Sequence, residues 1–216
     1  EEDINIIQIM IDNSYQSDID LDCQDGDAYC GSPNPFMDSS DNWMGFVFDG
    51  IVYDMPGNNN GVVEPLELGI QEWENGRLTS FMCGAYIYCQ LSGPIPEEID
   101  NLTALETFRV EGNYFNGFIP ESICDLDIYH MNYLDFDVTG NHLCPPYPDC
   151  IDTSGFWDQD DSSCTEIGDT NFDGFTNVLD VIVVVSLLLL VLFVHFMLLC
   201  LSIDLVSPCY PSIRSR

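Results

Sequence analysis

"RLTSFMCGAYIYCQLSGPIPEEIDN" (residues 77–101) is followed at once by "LTALETFRVEGNYFNGFIPESICDL" (residues 102–126), and the two align with an offset of 24 residues. Self-similarity at a fixed period predicts stacked supersecondary units, because one such unit cannot bury its own apolar face. The offset matches Phe81 with Leu105, Gly84 with Phe108, Tyr86 with Val110, Cys89 with Asn113, Leu91 with Phe115, Gly93 with Gly117, Ile95 with Ile119 and Pro96 with Pro120. Leu105, Phe108 and Val110 have the spacing of a short strand that turns its apolar residues into a shared core. Asn113 stands where the chain must leave that strand, and its amide can bond backbone groups of the neighbouring turn. A third turn follows 28 residues on, with Tyr133, Phe136, Val138, Asn141 and Leu143 in the same roles. Cys89 takes the asparagine position of the first turn, where a buried thiol would donate only weakly.

This stretch resembles an extracellular leucine-rich repeat of the 24-residue kind found in plant receptors and bacterial surface proteins. "LSGPIPEEIDNLTAL" (91–105) is its most family-specific piece, "GNHLCPPYPDC" (140–150) looks like the end of such an array, and the likeness covers about Trp73 to Cys150. The resemblance implies an α/β-type solenoid, a short leucine-rich repeat array of about three coils with parallel strands, capped at both ends. It also implies a strand face that binds protein or peptide and brings no catalytic residues. On that face the exposed positions would be Met82, Ala85, Ile87, Glu106, Thr107, Arg109, Glu111, Asp135 and Asp137. A concave strand face is the default binding surface of stacked repeats.

Bulk charge narrows the function classes. The chain has 216 residues, 37 acidic and 4 basic, for a formal net charge of −33, and no lysine. Such a field repels phosphate backbones, so a nucleic-acid partner is excluded first. It favours cations and basic protein or peptide ligands.

Ten cysteines point to an oxidising compartment, hence an extracellular or cell-surface location. Cys23 with Cys30 and Cys144 with Cys150 are the expected pairs, each closing a short loop. Cys83 and Cys89 are either a local pair or two free thiols, since side chains on one strand and its turn need not meet. The acidic opening at Glu1 has the wrong charge for a signal sequence, which suggests a processed form or a fragment.

Residues 1–76 read as an acidic N-terminal cap region. Ile4 to Ile11 is either a strand or a short amphipathic helix. "SDIDLDCQDGDAYC" (17–30) spaces carboxylates either for calcium or as a solvated loop, and its glycine is out of place for a helix-loop-helix calcium site. Residues 31–76 alternate Gly, Pro and Asn clusters with aromatic pieces that read as short strands or packing segments. The array with its C-terminal cap spans 77–150, and an acidic linker spans 151–168. Asn101 opens "NLT", which is either a glycosylation acceptor or ordinary repeat consensus.

"DTNFDGFTNVLD" (169–180) has the spacing of a calcium loop. Its ligands would be Asp169, Asn171, Asp173, the Phe175 carbonyl, Asn177 and Asp180, with Gly174 at the sharp bend. Hard oxygen donors in that pattern favour Ca²⁺ over softer metals. With Gly168 before it and "NVLDV" at its end, the loop resembles a dockerin repeat, which implies a second repeat and a cohesin partner. One repeat is visible.

Residues 181–203 read as an apolar helix, of which 181–201 is interrupted only by Ser186 and His195. At helical rise this is about 31 Å, the thickness of a bilayer core, so it is either a membrane anchor or a buried helix. A tail, 204–216, follows with Arg214 and Arg216. No phosphate loop, serine elbow or histidine cluster is present, so no enzyme is expected. The function these observations favour is a non-catalytic extracellular protein- or peptide-binding module stabilised by calcium. The alternative is a structural subunit of a calcium-dependent, self-assembling layer.

Overall fold

Ile6, Ile7, Met10, Ile11 and Ser14 recur at helical spacing, and the chain from Glu2 to Gln16 is helix α1 with that stripe buried. Its first turn carries Glu2 and Asp3, which suit the positive end of a helix. Asp3 is also buried, and it accepts hydrogen bonds from Arg77 Nε at 3.0 Å and from the Leu78 amide at 2.7 Å. The same Arg77 reaches the Asn101 carbonyl at 2.9 Å. Ser14, at the other end, exchanges hydrogen bonds with the backbone of Ser92. One short helix is thereby tied to two separate sheets.

The computed structural model describes residues 2–40, 46–48, 51–53, 57–84, 87–151, 153, 158–164 and 186. The chain divides into two units, Glu1–Cys164 and Thr165–Arg216. In the first, Phe46–Phe48 (β1) and Ile51–Tyr53 (β2) form an antiparallel ribbon. Ile70–Glu74 (β3) and Arg77–Met82 (β4) form a hairpin. Its two-residue turn, Asn75-Gly76, has φ of 52° and 79°, as the tight turn between twisted strands requires. β4 then pairs in parallel with Thr107–Arg109 (β6), and β6 with Phe136–Asp137 (β8). A second, three-stranded parallel sheet orders Ser92–Gly93 (β5), Tyr114–Phe118 (β7) and His142–Cys144 (β9).

Between the two sheets lies the core. Phe81, Phe108 and Phe136 form a file of rings at centroid spacings of 6.1 and 6.3 Å, with Leu91, Leu105, Val110, Phe115, Val138 and Leu143 buried beside it. Short 3₁₀ turns at Glu97–Asn101 and Glu121–Asp125 add Ile99 and Ile123. The prolines before them, Pro96 and Pro120, occupy the N-cap positions.

This architecture corrects the expected leucine-rich solenoid. The described residues of this unit form a small mixed α/β domain with one α-helix, two separate small sheets and a ribbon, and the four-stranded sheet begins with an antiparallel strand. Nor do the strands follow one period. Phe81 lies beside Phe108 and not beside Leu105, while Gly93 lies beside Phe115 and not beside Gly117. Tyr133, expected to point inward, is 70% exposed. The physical reason is unequal connections. A disulfide between Cys83 and Cys89 closes the segment after β4 into its own loop, with Tyr88 and Gln90 in left-handed conformation. The segment before β8 is a separate hydrogen-bonded turn around Asn132.

The transmembrane expectation is corrected as well. Among the described residues no helix is long and apolar enough to cross a membrane. The stretch 181–201 lies outside them except for Ser186.

Candidate binding face and its supports

Three backbone-facing amides hold the turns in place. Asn113 accepts from the Leu91 amide at 2.9 Å and donates to the carbonyls of Cys83 and Val110 at 2.7 and 2.9 Å. Asn141 repeats this one step on, accepting from the Phe115 amide and donating to Val110 and Val138. Gln159 takes the next position, with its Oε1 facing the Leu143 amide and its Nε2 donating to Val138. Both asparagines are buried, so each bond satisfies a backbone group that water cannot reach. The asparagines were foreseeable from the repeat. Gln159 was not, because it stands in a stretch whose acidity suggested only a linker.

The disulfides close the same turns. Cys23 pairs with Cys30 as expected. Cys144 does not pair with Cys150: it pairs with Cys164, and Cys150 pairs with Cys124. The expectation favoured the shortest loop, whereas the fold brings Cys150 under the Glu121–Asp125 turn and Cys164 back beside β9. Cys83 and Cys89 are bonded to each other, which excludes free thiols there. Four disulfides are consistent with an extracellular or secreted protein.

The outward side of the four-stranded sheet carries an open groove of about 210 Å³ lined by Glu72, Glu74, Thr79, Ser80, Met82, Glu106, Thr107 and Leu134. Of the predicted face it unites Met82, Glu106 and Thr107. It adds the β3 carboxylates, which the sequence reading missed although "ENGR" (74–77), an Asn-Gly turn between alternating segments, was a direct hairpin signal. Asp137 ends β8 of this sheet and Asp135 directly precedes that strand, and both are half-buried. Ile87 is only 6% exposed and belongs to the core, which corrects its place on the face. Ala85 lies outside the described residues.

Arg109 and Glu111 point away from solvent together. Arg109 Nη2 meets Glu111 Oε1 at 2.6 Å, while Arg109 Nε and Glu111 Oε2 are buried without a hydrogen-bond partner among the described residues. Gly84 packs against the Glu111 carboxylate so closely that any side chain there would displace it. Burial raises the Glu111 pKa above the ordinary 4.5. Its own backbone N–H and Arg109 oppose this, and nearby Asp137 reinforces it.

The acidic loop before Cys30 bonds to itself: Asp20 accepts from the Asp22 amide and Asp27 from the Tyr29 amide. Among the described residues no cluster of His, Cys, Asp and Glu could hold a metal ion. The expected calcium ligands Asp169, Asn171, Asp173, Phe175, Asn177 and Asp180 lie outside those residues. Asn101 ends a 3₁₀ turn and is half-buried, with its carbonyl committed to Arg77. His130 sits on the Ile123 carbonyl at 3.0 Å, and His142 stacks on Tyr114 with its Nδ1 3.6 Å from Asp160 Oδ2.

No family model matches this chain, and no curated protein or solved structure matches it.

Proposed function

We propose that this chain is a non-catalytic extracellular module that binds a protein or peptide on the outward side of the β3-β4-β6-β8 sheet. One observation carries the reading: the groove is open, and six of its eight lining residues, Glu72, Glu74, Thr79, Ser80, Met82 and Thr107, stand on β3, β4 and β6. A site on hydrogen-bonded strands holds its side chains in place before a ligand arrives, which lowers the ordering cost of binding. The disulfide Cys83–Cys89 closes the loop that directly follows β4 of that sheet. Calcium belongs to this reading as a structural cofactor of the loop 169–180, and attachment at a cell surface as its setting.

The test is a selection of short random peptides on the immobilised full chain. Peptides that bind the wild type but not Thr107→Trp, which fills the groove from β6, support the reading. Failure to enrich any groove-dependent peptide counts against it.

A further inference from the structure

The sequence holds three Asn-Gly pairs, Asn60-Gly61, Asn75-Gly76 and Asn116-Gly117. Asparagine is a thermolabile residue, and a following glycine has no Cβ to hinder its amide nitrogen from reaching the asparagine side chain. Whether such a pair reacts depends on how its surroundings hold it.

Two of the three are held. The Gly61 amide, the nucleophile of the first pair, donates to the buried Asp38 carboxylate at 2.7 Å, and Asn60 Oδ1 accepts from the Val62 amide at 2.9 Å. The Asn60 amide donates to the same carboxylate. Asn116 and Gly117 stand inside β7, in register with His142 and Leu143 of β9.

Asn75-Gly76 is open. Both residues are exposed at the tip of the β3-β4 hairpin, and a Cβ at Gly76 would meet no described atom within 4 Å. Attack requires only that the last rung of the hairpin, Glu74 opposite Arg77, come apart. The side that gives way is β3, which lies at the edge of its sheet and shifts register between Glu72 and Trp73. β4 is anchored: Arg77 donates to Asp3 and to the Asn101 carbonyl, and the Leu78 amide donates to Asp3.

We infer that Asn75 is a site of spontaneous deamidation, and that its isoaspartyl product re-sets the hairpin that carries Glu74 into the groove. The Gly76 nitrogen attacks the side-chain carbonyl carbon of Asn75 and forms a C–N bond. The side-chain nitrogen takes the Gly76 amide proton and leaves as ammonia. Water then opens the cyclic imide, its hydroxyl adding to a carbonyl carbon and its proton returning to the Gly76 nitrogen. Opening at the side-chain carbonyl gives aspartate. Opening at the main-chain carbonyl gives isoaspartate, in which the chain runs through Cβ and Cγ and is longer by a backbone atom. That atom falls in a two-residue turn whose geometry sets the register of its strands. Glu72 keeps its carbonyl on the Thr79 hydroxyl at 3.1 Å, above the register shift, so the displacement falls on Glu74, a groove residue. Only the effect on a groove ligand rests on the binding reading above.

The test ages the full chain in mildly alkaline buffer, with a second sample reduced and unfolded in urea. Peptides are read at intervals by mass spectrometry, with isoaspartate identified by fragmentation. Fraying of an exposed turn is cheap whereas a strand interior opens rarely, so folded Asn75 should convert roughly tenfold or more faster than Asn60 or Asn116. In urea the three should convert at rates of the same order. The isoaspartyl chain, separated by chromatography, should unfold at lower urea than fresh Asn75→Asp, which carries the same charge on an ordinary backbone. Conversion of Asn60 or Asn116 as fast as Asn75 in the folded chain overturns the site, as does an Asn75 that stays intact while the unfolded chain reacts. Equal midpoints for the isoaspartyl chain and Asn75→Asp overturn the re-set hairpin. A peptide selected on the fresh chain should bind the isoaspartyl form less tightly than Asn75→Asp. Failure to select any groove-dependent peptide removes the binding reading and leaves the deamidation to be decided by mass alone.

Discussion

Among the described residues, Asn113 and Asn141 each bond several backbone groups at once. Removing Asn113 takes the side-chain partner from the Leu91 amide and the Cys83 carbonyl, while the Val110 carbonyl keeps the Asn141 amide. Unsatisfied buried groups cost about 1–3 kcal/mol each, so Asn113→Ala should lose about 2–4 kcal/mol after local relaxation, read from urea unfolding midpoints. Asn113→Asp should be no milder, because it sets a carboxylate against two carbonyl oxygens. Equal stability of wild type and Asn113→Ala would show that the turns do not depend on this amide.

Glu111 belongs to the same scale. Burial raises its pKa in the folded state. Below the unfolded carboxyl value both states hold the proton, and the contribution of this group is whole. Above it the unfolded chain releases the proton first, so stability falls as pH rises towards and through the raised folded value. Wild type should therefore lose stability relative to Glu111→Gln across that window, measured as unfolding midpoint against pH for both proteins. A constant difference between the two curves would mean that Glu111 titrates alike in both states.

Elements show where reading the sequence succeeded and where it stopped. Leu105, Phe108, Val110 and the asparagines were legible because their burial follows local spacing. The pairing of strands was not, since it depends on how much chain each connection uses. The Cys83–Cys89 loop and the Asn132 turn take unequal lengths, so Phe81 meets Phe108 and Gly93 meets Phe115. The local pattern of Ile4 to Ile11 suits either a strand or a helix, and the contacts that accompany the helix, Asp3 with β4 and Ser14 with β5, come from distant parts of the chain. Of the groove, β4 and β6 supplied residues that were foreseen, and β3 was missed with its hairpin turn. That turn makes a direct prediction. Gly76 has φ of 79° with open space around it, so Gly76→Ala meets backbone strain alone and should cost about 1 kcal/mol. It should also weaken any groove ligand, because Glu72 and Glu74 are positioned by the hairpin. At the same scale, non-reducing digestion should yield linked peptides containing Cys124 with Cys150 and Cys144 with Cys164. Recovery of a Cys144–Cys150 link would place the last strand differently.

At the scale of the whole molecule, a net charge of −33 is the dominant long-range force. Like charges closer than a Debye length repel in the folded chain more than in the expanded one, and at low salt that length reaches about 30 Å. The described ion pairs, Arg77–Asp3 and Arg109–Glu111, are contacts whose partners sit side by side, so salt screens them less than the general field. Added sodium chloride should therefore raise the thermal midpoint steadily from low to physiological ionic strength. Calcium should do more at far lower concentration if the loop 169–180 gathers it, because ligation stabilises by mass action as well as by screening. Asp173→Ala separates the two effects in the full chain: it should abolish the low-concentration calcium response seen by calorimetry and leave the salt response intact. Matching calcium isotherms for wild type and Asp173→Ala would assign the ion to general charge neutralisation, and the calcium loop would drop out of the account.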